Sequence, residues 1–232
     1  MEKKKIHKFK TKILGIKNLC EDTKHFIIST PDDFDFHPGQ FISLIMDKDG
    51  GKIKRPYSIA SKPAPLSLEL CIKIIPDGNI TPLLDKLREG NEIDALGPLG
   101  HFTIKDISKD LIFISTGTGI TPFRSMIHHL LNNNHKNNVR LITGYRYEKG
   151  ILYESELNGL SNKHSNFSYH RVLSRPDNEK DQKGYVQDVL KKDISKDAHY
   201  YICGLKEMVN SVKDLLLKEG IPKENIFFEK YD

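Results

Sequence analysis

The feature that most constrains this chain is a change of texture near residue 105. Before it, short β-like runs over 9–17, 24–30, 41–46, 55–60, 66–75 and 92–96 are separated by Pro, Gly and Asp. Leu66, Leu68 and Leu70 alternate with Ser67 and Glu69, the period of a half-buried strand. Six short strands at this spacing predict a small antiparallel barrel. One helix interrupts them. Thr81 reads as its N-cap with Pro82 at the first helical position, and Leu83, Leu84 and Leu87 give one apolar stripe. After residue 105, strand-like runs at 111–115, 139–144, 167–173, 199–203 and 225–228 alternate with helical ones at 121–132, 153–160, 185–190 and 205–219. That alternation implies a doubly wound parallel sheet. Two domains are expected, a β-barrel over 1–104 and an α/β sheet over 105–232.

Composition removes several function classes. A 38% hydrophobic content over 232 residues suits a globular protein with a core. No apolar run approaches the ~20 residues of a membrane span. The basic start, with Lys3, Lys4, Lys5, Lys8, Lys10 and Lys12, is followed by no apolar stretch of a secretory signal. Cys20, Cys71 and Cys203 are odd in number and far apart, so a reducing cytoplasm is expected and no disulfide framework. Without a Cys-x-x-Cys pair, neither an iron–sulfur centre nor another metal site is expected. A net charge of +5 is mild and spread out, and no basic run interleaves with aromatics, so nucleic-acid binding is not expected.

Two motifs carry chemistry. Arg55-Pro56-Tyr57-Ser58 places a cation, a ring and a hydroxyl within four residues, the groups that a flat anionic cofactor needs. A barrel strand with an exposed Arg and a half-buried Tyr is the plainer reading of those four residues alone. Gly117-Thr118-Gly119-Ile120-Thr121-Pro122 follows a buried strand and opens a helix, where free N–H groups and the helix dipole favour an anion. It departs from Gly-x-Gly-x-x-Gly at Pro122. A plain strand-to-helix turn capped by Thr121 is the alternative. In the barrel, Gly78, Ile80 and Thr81 make a second phosphate candidate, with Arg55 as counter-charge. One phosphate loop per domain would hold two nucleotides, a geometry suited to hydride or electron transfer.

The motifs Arg55–Ser61, Gly97-Pro-Leu-Gly100, Gly117–Ser125 and Cys203-Gly204-Leu205-Lys206, in this order, resemble the ferredoxin–NADP reductase family over nearly the whole chain. The ending Glu229-Lys230-Tyr231 resembles its plant-type branch, with Asp232 added. The resemblance implies FAD in the barrel and NADP(H) on the α/β domain. It implies that Arg55 grips the FAD diphosphate, with Pro56 beside it, that Tyr57 packs on the isoalloxazine and that the Ser58 hydroxyl lies near N5. Strand alternation sends Tyr57 and Ser58 to opposite faces, so the strand must bend there or Ser58 must reach the ring edge. Cys71, Ile72 and Lys73 would run beside the flavin. Thr118, Gly119, Thr121 and Pro122 would cradle the NADP diphosphate. Cys203 and Gly204 would lie near the nicotinamide, Tyr231 would stack on the other flavin face, and Glu229 would orient groups or relay protons.

Ser174-Arg175 and Lys183-Gly184-Tyr185 resemble the plant-type set that meets the 2′-phosphate and adenine. No acidic residue ends the 139–144 strand, where Arg146 stands instead, so NADP is favoured and NAD stays open. The implied activity is hydride transfer between NADP(H) and FAD with single-electron exchange. The carrier must then be another molecule, an acidic ferredoxin or flavodoxin. Alternatives are the reductase component of a multicomponent oxygenase, a free-flavin reductase, or a non-catalytic flavin-binding regulatory subunit. A monomer is expected.

Overall fold

The computed structural model describes residues 4–178 and 183–231; Lys3 of the basic start and the terminal Asp232 lie outside the described residues. The chain divides into two compact units, Met1–Ile104 with Thr121–His129, and Lys105–Ile120 with Leu130–Asp232.

The first unit holds strands β1 (His7–Cys20), β2 (Thr23–Ser29), β3 (Phe41–Lys48), β4 (Gly51–Ser58), β5 (Ser67–Lys73) and β6 (Glu92–Leu99). They pair antiparallel in the order β4-β3-β6-β1-β2-β5. β1 outruns the apolar stretch that betrays it because its halves have different partners. His7–Lys12 pair with β6, and Ile13–Cys20 pair with β2. The outer strands close the sheet on itself. Ile59, just past β4, bridges Leu70 of β5, and the Ala60 N–H donates to the Glu69 carbonyl at 2.7 Å. This contact joins the outer strands only just past the end of β4, and β4 itself, largely exposed, remains an outer strand of the sheet. The alternating inward residues Ile13, Phe26, Ile42, Leu44, Leu68 and Leu70 fill the barrel, each at most 1% exposed.

Helix α1 spans Thr81–Asp85 and begins differently from the sequence expectation. Ile80 is its N-cap and Thr81 its first helical residue, with Pro82 in the first turn. The Thr81 hydroxyl turns back instead, donating to the Ile75 carbonyl at 2.9 Å and accepting from the Ile75 amide at 3.1 Å. A hydroxyl used to tie off the 75–81 loop does not cap the helix. Gly78 sits inside that loop, where a Cβ would meet the same hydroxyl at 2.5 Å.

The second unit is built on a parallel sheet. Its strands are β7 (Leu111–Thr116), β8 (Val139–Tyr145), β9 (Phe167–Leu173), β10 (His199–Leu205) and β11 (Ile226–Tyr231), ordered β11-β10-β7-β8-β9. Helix α2 (Thr121–Asn132), most of which belongs to the first unit, and helices α3 (Glu154–Lys163), α4 (Val186–Leu190) and α5 (Lys206–Lys218) link the strands along the chain. The continuous apolar run of β7 is buried from Leu111 to Ser115, as a strand covered on both faces requires. Met208, Val209, Val212 and Leu216 of α5 pack with Val186, Val189 and Leu190 of α4 in one core cluster. Tyr200 and Tyr201 are fully buried, and their hydroxyls are satisfied by backbone groups of Ser195 and Lys105. From β7 the chain moves outward to β8 and β9, then returns to β10 on β7's other side. The order therefore reverses between β7 and β10, and such a reversal opens a crevice at the strands' carboxyl ends. Among the described residues, no helix is long and apolar enough to cross a membrane, and no cluster of His, Cys, Asp and Glu could hold a metal.

Candidate functional site

In the barrel, the β3–β4 register is unbroken from Lys48↔Gly51 to Phe41↔Ser58. Tyr57 and Ser58 therefore do alternate, and the change of direction comes just after them, where the chain closes onto β5. Ser58 is 6% exposed and Tyr57 is half-buried. Burial pushes the Tyr57 phenol well above its ordinary range, an effect the nearby Arg55 charge only partly offsets. Arg55 and Pro56 are exposed. The Arg55 guanidinium donates to the Lys54 carbonyl at 2.9 Å, and among the described residues no carboxylate pairs with it. A guanidinium beside an aromatic ring and a hydroxyl, with no anion of its own, fits the diphosphate and ring of FAD. Cys71 and Ile72 are buried in β5. Lys73 next to them is exposed but committed to Asp22 at 2.8 Å. Ile80 and Thr81 are buried at the start of α1, beside Gly78.

In the parallel-sheet unit, Gly117–Ile120 forms a 3-10 turn between β7 and α2. Gly117 has φ +53° and nothing within 4 Å of where a Cβ would stand, so the turn faces open space there. Gly119 is the opposite case. Its Cβ would lie 2.3 Å from the Cys203 carbonyl oxygen, so the turn packs backbone to backbone on the end of β10. Gly204 completes the contact with φ +144° and 2.4 Å from a notional Cβ to the Thr116 hydroxyl, which accepts the Leu205 amide at 3.4 Å. This is the reversal point of the sheet, a floor that a nucleotide phosphate can approach closely. Thr118 is half-buried there, while Thr121 and Pro122 are buried at the helix start.

Beside that floor, Cys203 is fully buried and registers with Glu229, and Leu205 registers with Tyr231. Burial first and the Glu229 carboxylate second push the thiol well above its ordinary range, while the Tyr231 hydroxyl hydrogen-bonds it. Cys203 is accordingly a neutral thiol. Glu229 and Tyr231 are half-buried.

The cations expected to read a 2′-phosphate also converge. The Ser174 amide donates to the Tyr145 carbonyl at 3.0 Å and the Arg175 amide to the Arg146 carbonyl at 2.9 Å. These bonds extend the β8–β9 pairing beyond the strands. Lys183 bridges Leu173, and the Gly184 amide donates to the Leu173 carbonyl at 2.8 Å. Arg146, Arg175 and Lys183 are all exposed, and none has a carboxylate partner among the described residues. Tyr185, 64% exposed, has its amide held by the Asp188 carboxylate at 2.8 Å. Three cations and an open ring fit an adenosine 2′-phosphate.

Sequence reasoning missed a buried ion cluster in the barrel unit. Arg124, 9% exposed on α2, donates to the Glu69 carboxylate at 2.5 Å and to the Ala60 carbonyl at 2.9 Å. His25, 2% exposed, has its Nε2 3.7 Å from the same carboxylate. The available signal was a lone cation in the apolar run from Pro122 to Ile127.

Comparison with known proteins matches this architecture. Residues 10–104 match the family described as Oxidoreductase FAD-binding domain, and residues 113–214 the Oxidoreductase NAD-binding domain. The chain is 31% identical to ferredoxin–NADP reductase B of Sorangium cellulosum, over 97% of this chain and 98% of that one. It is 27% identical to the toluate 1,2-dioxygenase electron transfer component of Pseudomonas putida, covering 96% of this chain and 67% of that protein. The crystal structure of a ferredoxin NADP+ reductase from Neisseria gonorrhoeae, with bound FAD and NADP, superposes with a TM-score of 0.85 at 26% identity, over 99% of both chains.

Proposed function

The chain belongs to the ferredoxin–NADP reductase family, and on that premise we propose that it exchanges electrons between NADP(H) and a ferredoxin- or flavodoxin-type carrier. It is an FAD- and nicotinamide-nucleotide-dependent oxidoreductase. The observation that carries the reading is the packing of the Gly117–Ile120 turn on Cys203 and Gly204 at the reversal point of the sheet. When bound, FAD supplies the exchange between a two-electron hydride donor and a one-electron carrier.

The chain's own residues bind and orient. Arg55 supplies the charge for the FAD diphosphate, with the backbone of Gly78 to Thr81 as a second contact. Tyr57 offers an aromatic face and Ser58 a hydroxyl at the ring. Cys71, Ile72 and Lys73 flank the flavin, and Lys73, already neutralised by Asp22, contributes its stem more than its charge. Thr118 and the neighbouring amides take the NADP diphosphate. Arg146, Ser174, Arg175 and Lys183 take the 2′-phosphate, with Tyr185 on the adenine. Cys203 gives the nicotinamide a small uncharged neighbour, kept neutral by burial and by Glu229. Tyr231, hydrogen-bonded to that thiol, offers its ring to the flavin face.

The partner proposed is an acidic carrier, supported by the net charge of +5. The basic start contributes less than its sequence suggests, because Lys4, Lys5 and Lys10 pair with Asp35, Asp33 and Asp94. A monomer working in the cytoplasm is the proposed form, in keeping with three free cysteines. A second reading, the reductase component of an oxygenase, is favoured by the likeness to the toluate dioxygenase component. Purification, flavin identification and stopped-flow reduction by NADPH and NADH test the proposal. Bleaching by NADPH followed by saturable reduction of ferredoxin or flavodoxin supports it. Reduction of free flavin alone points to a flavin reductase, absence of bleaching to a regulatory subunit, and a protein that takes up no FAD overturns the reading.

A further inference from the structure

Glu148 lies in no motif and in none of the proposed contacts, yet it holds the loop that carries Arg175. It opens the 3-10 turn Glu148–Gly150, two residues beyond Arg146. Its Oε2 accepts the Asp177 amide at 3.0 Å and its Oε1 accepts the Asn178 amide at 3.0 Å. One carboxylate thus clamps two consecutive backbone N–H groups. The backbone of Arg175 is fixed on both sides. Its own amide is tied to the Arg146 carbonyl at 2.9 Å, Pro176 follows and restricts both its own φ and the Arg175 conformation, and the clamped amides come next. Charge-assisted bonds from a carboxylate to backbone N–H are among the stronger ones available.

We propose that Glu148 is a positioning residue for nucleotide specificity: by fixing the 175–178 loop it aims the Arg175 guanidinium at the 2′-phosphate of NADP(H). This rests on the reading of Arg175 as a 2′-phosphate contact. Charge and position make opposite predictions here. A carboxylate near a phosphate repels it, so a purely Coulombic Glu148 would weaken NADPH binding and its removal would strengthen it. A positioning Glu148 makes removal harmful.

The test compares the ratio of kcat/KM for NADPH to that for NADH, together with the inhibition constant of adenosine 2′-monophosphate, in the FAD-loaded enzyme. Glu148→Ala is expected to lower the ratio about tenfold and to weaken adenosine 2′-monophosphate by a similar factor. Glu148→Gln, whose single carbonyl oxygen still accepts one amide, is expected to lose less. In the double variant with Arg175→Ala, the ratio is expected to fall no further than in Arg175→Ala alone, since residues acting through one another are not additive. An unchanged or raised ratio in Glu148→Ala, or additive losses in the double variant, overturns the proposal. If Arg175→Ala loses NADPH and NADH equally, the 2′-phosphate reading fails and takes this proposal with it. A selective loss in Arg175→Ala beside an unchanged Glu148→Ala sinks the Glu148 role alone.

Discussion

At the scale of single residues, Arg124 is where the barrel has most to lose. Its guanidinium serves Glu69 and the Ala60 carbonyl at once, and Glu69 in turn holds the chain where the barrel closes. The Glu69 carbonyl accepts from Ala60 at 2.7 Å, and the Glu69 amide donates to the Ser61 hydroxyl at 3.1 Å. Arg124→Met keeps the length and apolar stem but strands a carboxylate beside His25. Breaking a buried pair in this way costs about 3–5 kcal/mol. The low end is expected because the Glu69 side chain keeps 29% exposure. Urea denaturation of the variant should show that loss, and Arg124→Met with Glu69→Gln should recover part of it. A loss under about 1 kcal/mol, the range of surface pairs, would show the pair to be dispensable.

At the scale of elements, the two glycines of the Gly117–Ile120 turn separate strain from clash. Gly117→Ala adds a methyl to open space and should cost only the left-handed backbone penalty, roughly 1–2 kcal/mol. Gly119→Ala drives a Cβ to 2.3 Å from the Cys203 carbonyl oxygen, so either the turn or the end of β10 must move. Its KM for NADPH should rise tenfold or more while FAD content holds. Parallel kinetics and flavin titration check this, and an unaltered KM would mean that the turn does not shape the nucleotide floor. The alternating barrel strands and the buried run of β7 made both folds legible in the sequence, because burial on one face or two leaves a distinct period. Motif glycines were legible too, since their spacing reports the turn they make. The Arg124–Glu69–His25 cluster was not, because its members lie on three elements and no local period links them. Thr81 was misplaced for a related reason: its hydroxyl answers to Ile75, six residues back, rather than to the helix it begins. Glu148 was invisible because it bonds backbone amides, which every residue but proline carries.

At the scale of the whole molecule, the buried acids set a limit on the alkaline side. Burial raises Tyr200 and Tyr201 to about 12, and it pushes Tyr57, Tyr169 and Cys203 well above their ordinary values. Each group is neutral when protonated, and the folded chain holds that proton longer than the unfolded one. Between the unfolded value, 9.0 for Cys203 and 10.0 for the tyrosines, and the higher folded one, the unfolded state therefore binds fewer protons. Stability changes with pH in proportion to the protons bound unfolded minus those bound folded, and here that difference is negative. The stability conferred by burying these neutral groups is whole below about pH 9 and is lost progressively as pH rises toward 12. Thermal melts of the FAD-loaded protein should give a flat Tm from pH 7 to about 8.5 and a steep fall above about 10. Tyr201→Phe should flatten part of that fall while also losing the bond to the Lys105 amide, so its Tm at pH 7 should be lower and its alkaline slope smaller. A Tm that stays level to pH 11 would mean that these hydroxyls ionise in place, and that the sheet core around β10 admits solvent that its full burial excludes.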